Sequence, residues 1–132
     1  MANGTIAFDT LQTSGQITGT AKSLDTDYVV SGAAKQWVNF DGEESSLSSR
    51  NSLNVSSLTD EGTGIYTITF SSAFSAADYS VTAGNDKQAS RIGAQNSGAN
   101  FTTTAFDITT ELSGGTDADA DKVMTHTMGD LA

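Results

Sequence analysis

Asp117, Asp119 and Asp121 are the residues of this sequence best placed for chemistry, because carboxylates at the first, third and fifth positions open an EF-hand calcium loop. The sixth position is Lys122 where the turn needs glycine, and the twelfth is Met128 where a bidentate glutamate is needed. The loop form therefore fails. An irregular oxygen site for a hard cation stays open beside the plainer reading, a solvated acidic turn. His126, the single histidine, lies between Thr125 and Thr127 in a stretch of strand character. One histidine cannot build a multi-histidine metal centre, and no nucleophile motif accompanies it, so the default is an ordinary strand residue. If the chain assembles about a threefold axis, three copies of His126 could meet there. Glu43 with Glu44, and Asp60 with Glu61, are neighbouring acids of the kind used in glycoside hydrolysis. Adjacent strand residues point to opposite faces, so neither pair is placed to flank one bond. No Gly-Lys-Ser or Gly-Lys-Thr follows a glycine-rich loop, which leaves a phosphate cradle without support. The sequence thus implies no catalytic residue and no cofactor.

The charge balance narrows the partners. Sixteen acidic residues face six lysines and arginines, for a net charge of −10. Polyanions are bound by clustered cations, and none occurs here, so nucleic acid and anionic membrane surfaces are disfavoured. No run of about eighteen apolar residues is present, nor a basic then apolar N-terminus, so neither membrane insertion nor a secretory signal is expected. There are no cysteines, which removes disulfides and thiolate zinc sites.

These residues must be positioned by strands. Leu53 and Val55 alternate with polar residues, a glycine-bearing stretch Thr59-Asp60-Glu61-Gly62-Thr63-Gly64 follows, and Tyr66, Ile68 and Phe70 then alternate with Ile65, Thr67 and Thr69. A period of two on both sides of a short polar loop predicts a β-hairpin. Residues 35–40 form a second strand, with Val38 and Phe40 on one side and Trp37 and Asn39 on the other. Tyr79, Val81 and Ala83 share a face of a third, and residues 122–128 form the last. Residues 101–108 have strand propensity, but Phe101 and Phe106 are an odd number apart, which predicts a bulge near Ala105. Gly4 to Asp9 carry an N-terminal strand, with a weakly structured connection through Asp27. Residues 41–50 are an exposed loop, and residues 84–99 are either a surface loop or a short edge strand near 89–94.

Eight or so short strands with regular turns predict an all-β chain, an antiparallel β-sandwich or a barrel-like domain. Nineteen threonines and seventeen serines suit exposed strand faces and oppose a long helix. Length allows one core, with residues 1–30 as an N-terminal strand and arm and residues 31–132 as the compact unit. Leu, Ile, Val and Phe supply only 25 of 132 residues, a thin core for a chain without staples. Part of the apolar burial is therefore expected to come from other copies of the chain.

The run Ala34-Lys35-Gln36-Trp37-Val38-Asn39-Phe40-Asp41-Gly42, then Arg50 to Gly64, then Tyr66-Thr67-Ile68-Thr69-Phe70, resembles a module of bacteriophage tail-fibre and related virion structural proteins, especially those of marine and cyanobacterial phages. The similarity extends through Asp78-Tyr79-Ser80-Val81 and covers roughly residues 31–132. It implies a non-enzymatic homotrimer located in the virion after assembly in the host cytoplasm. Its partners would be other copies of itself, other virion proteins, and a host-surface glycan or protein. A tail-fibre or appendage component fits first; a capsid decoration, cement or head-fibre protein is the alternative.

Overall fold

The computed structural model describes residues 32–87, 89–91 and 101–132. The expected N-terminal strand and arm of residues 1–30 lie outside them, as do residues 88 and 92–99 of the 84–99 excursion.

The described chain is all-β. Its strands are β1 (Gln36–Phe40), β2 (Ser49–Leu53), β3 (Val55–Gly62), β4 (Ile65–Phe70), β5 (Ser80–Asn85), β6 (Ala89–Arg91), β7 (Ala105–Glu111) and β8 (Val123–Met128). They pair antiparallel throughout, in two four-stranded sheets of order β2-β1-β8-β5 and β3-β4-β7-β6. Two sheets facing across one core make a sandwich, as the alternating pattern requires when only one face of each strand is apolar.

Burial follows that alternation. In β1, Gln36, Val38 and Phe40 are buried while Trp37 and Asn39 are only partly so; in β4, Tyr66, Ile68 and Phe70 face inward. Among the described residues eleven hydrophobic side chains are buried, and six of these are Phe40, Tyr66, Phe70, Phe74, Tyr79 and Phe106. Ring size compensates for the small number of aliphatics. A buried aromatic removes ~150–250 Å² from water, worth about 4–6 kcal/mol as an upper bound at ~25 cal/mol per Å². Phe70, Phe74 and Tyr79 pack with centroids 4.6–5.6 Å apart at one end of the sandwich, and Phe40 meets Tyr66 edge-on at 5.2 Å toward the other. Gln36 is also fully buried. Its amide donates to Thr125 Oγ1 at 3.0 Å and accepts from Thr127 Oγ1 at 2.7 Å, so inward positions of β1 and β8 carry a satisfied polar cluster beside the rings.

Two features differ from the sequence expectation. Leu53 and Val55 do not belong to one strand: Asn54, at φ 56°, turns the chain from β2 in one sheet to β3 in the other. Asparagine tolerates this left-handed conformation better than most residues. Its amide also caps the corner, accepting from Ser72 N at 2.6 Å and donating to Ser72 O at 3.1 Å. The hairpin itself is β3–β4, closed by Gly62 and Gly64 at positive φ. The bulge expected near Ala105 is absent, because β4 and β7 pair without a break from Ile65↔Thr109 to Thr69↔Ala105. Strand character begins only at Ala105. Residues 102–105 instead form a turn in which Thr102 N donates to Ala105 O at 2.9 Å and Ala105 N donates to Thr102 Oγ1 at 2.9 Å. That turn, not a bulge, absorbs the odd spacing of Phe101 and Phe106. The short strand near residue 89 is present as β6.

Candidate functional site

Antiparallel pairing sends the C-terminal end of β1, the N-terminal ends of β2 and β8, the end of β5 and the β3–β4 turn to one end of the sandwich. The acidic turn lies there. Asp119 Oδ1 accepts from Gly64 N at 2.6 Å and from the Tyr66 hydroxyl at 3.1 Å, so this carboxylate anchors the tip of the β3–β4 hairpin. Burial in the core, and then the Asp119 charge, push the Tyr66 phenol well above its ordinary value. Asp121 serves another partner: its Oδ1 lies 2.6 Å from Arg50 Nη2, and its Oδ2 lies 3.2 Å from Lys122 Nζ. The Arg50 hydrogen bond, followed by that from Lys122, holds the Asp121 carboxyl below the usual range. Asp117 bridges by its backbone to Glu111. The three aspartates are thus distributed over separate partners, and among the described residues no three His, Asp or Glu side chains gather as an ion would require.

Arg50 links parts of the chain that sequence spacing does not associate. It contacts Asp41 Oδ2 at 2.8 Å, Asp121 Oδ1 at 2.6 Å and the Asp121 carbonyl at 2.7 Å. Lys87 pairs with Glu43 at 2.8 Å, joining the loop after β1 to the start of the 84–99 excursion. That loop ends at Ser48 and not at the expected Arg50, because Ser49 and Arg50 belong to β2. Three Asx turns shape the same end: Asp41, Asp60 and Asn85 each accept from the backbone N–H two residues on, at 3.0, 2.9 and 2.8 Å. The glycine-bearing turn of residues 59–64 and the polar loop from Asp41 were visible in the sequence. The ion pairs were not, since Arg50 and Asp121 stand 71 positions apart.

The paired acids divide between separate partners, Asp60 and Glu61 within β3, and Glu43 and Glu44 in the turn after β1, where strand alternation does not apply. Glu43 binds Lys87, whereas Glu44 accepts from Ser48 Oγ at 3.2 Å; Asp60 caps its own turn, whereas Glu61 accepts from Thr67 Oγ1 at 3.3 Å. A groove of about 210 Å³ lies between residues 47–49 and 55–58, lined by Leu47, Val55, Leu58 and four serines. It falls short of the ~300–1,000 Å³ common to small-molecule pockets.

His126 sits on the outer face of the β2-β1-β8-β5 sheet. Register places it beside Trp37 and Thr82, with Leu53 beyond Trp37; the next row is Asn51, Asn39, Met124 and Gly84, and Met128 pairs with Ser80. No carboxylate occupies these rows. The outer face of the other sheet carries Thr59, Thr67, Thr69 and Asp107, with Ile65 at its end beside the buried Thr109. Lys35 is partly buried, with its backbone N–H donating to Thr127 O at 2.8 Å.

No family model matches the sequence, and no curated protein and no solved structure matches it. Among the described residues no helix is long and apolar enough to cross a membrane.

Proposed function

We propose that the chain is a non-enzymatic structural component of a bacteriophage virion, a tail-fibre or appendage protein that assembles as a homotrimer and contacts the host surface. The reading draws on the resemblance of residues 31–132 to phage virion modules. One structural observation carries it further: the polar loop of residues 41–48 and the start of the 84–99 excursion come together at one end of the sandwich, tied by the 2.8 Å Glu43–Lys87 pair. A rigid β scaffold that gathers its loops at one end suits recognition, because the backbone cost of ordering the loops is met before contact. Copy number on a trimeric appendage would then multiply weak contacts into useful avidity.

The test has two arms. Gold-labelled antibody against this chain, imaged on intact virions, is expected to mark a tail or fibre position. Fluorescent purified protein is expected to bind susceptible cells and to compete with infection. Capsid labelling with no cell binding would replace the appendage reading by shell decoration. Absence from the virion, or cleavage of host polysaccharide by the purified protein, would overturn both.

A further inference from the structure

The outer face of the β2-β1-β8-β5 sheet is unlike the rest of the surface. Along β8 the outward positions are Met124, His126 and Met128, with Trp37 beside His126 on β1 and Leu53 beside Trp37 on β2. Leu53, Met124 and Met128 are 47, 41 and 40% exposed, half of the large hydrophobics exposed among the described residues. A solvated sheet face normally carries threonine, serine and charge, as Thr59, Thr67, Thr69 and Asp107 do on the opposite sheet.

We propose that this face is buried against other copies of the same chain. The argument for a second copy is electrostatic. In a symmetric contact, residues near the axis meet themselves, so any carboxylate on the face would be set against its own twin. With a net charge of −10, most surfaces of this molecule meet that obstacle. This face avoids it, because the rows around His126 contain no Asp or Glu. Acids stand at its rim: Asp41 and Asp121 are paired to Arg50, Asp86 adjoins Lys122 just past the end of β5, and Asp78 and Asp130 flank the other end of β5 and β8. Methionine further suits a surface that must pack against an identical one, since its unbranched side chain adapts to irregular gaps.

Size sets the strength of the contact. Four strands spaced by ~4.8 Å, with five or six residues rising ~3.3 Å each, give a footprint of roughly 350 Å². Stable complexes bury ~800 Å² of accessible surface per partner. The face by itself therefore supports an association that dilution reverses. The inference names the surface used in the proposed assembly, and it stands or falls on purified protein whatever the chain's place in a virion.

Trp37 is the only tryptophan, so intrinsic fluorescence reports on this face directly. Sedimentation velocity and tryptophan emission of the full chain, measured together from 200 down to about 0.2 μM, are expected to show mass falling to that of one chain as emission shifts to the red. The variant Leu53→Lys/Met124→Lys is expected to raise the midpoint concentration at least tenfold. Thr59→Lys, on the outer face of the other sheet, is expected to leave it in place. A monomer at every concentration, a loss of mass without an emission shift, or equal weakening by Thr59→Lys would each overturn the proposal. Should the double variant misfold by circular dichroism, the wild-type dilution series still decides.

Discussion

Gly64 shows how much a single residue carries at the loop end. It adopts φ 71°, and a Cβ there would stand 2.7 Å from Ala118 N and 2.5 Å from Thr110 O, so both backbone conformation and space exclude a side chain. Gly64→Ala is expected to lower unfolding free energy by about 2–4 kcal/mol in urea titration; a loss below ~0.5 kcal/mol would mean that the hairpin tip can move away from the 117–120 segment. The tyrosines give a pH signature. Burial, and then the Asp107 charge, push the Tyr79 phenol up to about 12, and Tyr66 is raised by burial and Asp119. Since the unfolded phenols titrate near 10, the folded form holds these protons more tightly. Stability is therefore intact below about pH 10 and lost as pH rises through 12, by up to ~1.4 kcal/mol per pH unit for each ring. Urea midpoints at pH 9, 10.5 and 11.5 should fall in that order, and Tyr79→Phe should flatten the decline; an unchanged slope in the variant would assign it to other groups. Among the acids, the separate partners of Asp119 and Asp121 lead to a plain expectation for calcium. Two millimolar calcium should leave the melting temperature within about 1 °C of that in chelator, whereas a clear rise would reveal an ion site.

At the scale of elements, the sandwich is closed along its sides by chain that crosses from one sheet to the other. Asn54 alone separates β2 from β3, and residues 86–88 separate β5 from β6. Asn54 contributes both its positive φ and two amide hydrogen bonds to Ser72. Gly at this position would keep the conformation and lose the bonds, while Val would lose both. Denaturant unfolding should therefore rank wild type above Asn54→Gly and Asn54→Gly above Asn54→Val, the last two differing by about 1–2 kcal/mol. The reverse order would mean that β-propensity outweighs the corner. Local alternation revealed β1, β4 and β8 because each has one face in the core. It could not reveal the corner, since a period of two continues through Leu53, Asn54 and Val55 whether the chain runs straight or turns.

Taken whole, the molecule is polarised. One end carries the paired loops and the acidic turn, the other gathers Phe70, Phe74, Tyr79 and Phe101, and the central rows of one sheet face are free of carboxylates. If that face lies between copies, His126 lies within the contact, with Trp37 and Thr82 as its cross-strand neighbours. With a net charge of −10, a carboxylate introduced at this position would be set against the same charge on the other copies, so His126→Glu should weaken assembly. The midpoint concentration in sedimentation should rise for His126→Glu, and an unaltered midpoint would take His126 out of the contact. The sequence alone determined the all-β class, most of the strand positions and the turn residues, because these follow from a side-chain period of two and from backbone preferences acting over a few residues. Only the tertiary structure decided that Asp119 holds the hairpin, that Arg50 reaches Asp121, and that Leu53, Trp37, His126 and Thr82 form one row. Those relations depend on strand order and register, which bring together residues dozens of positions apart and leave no mark in local spacing.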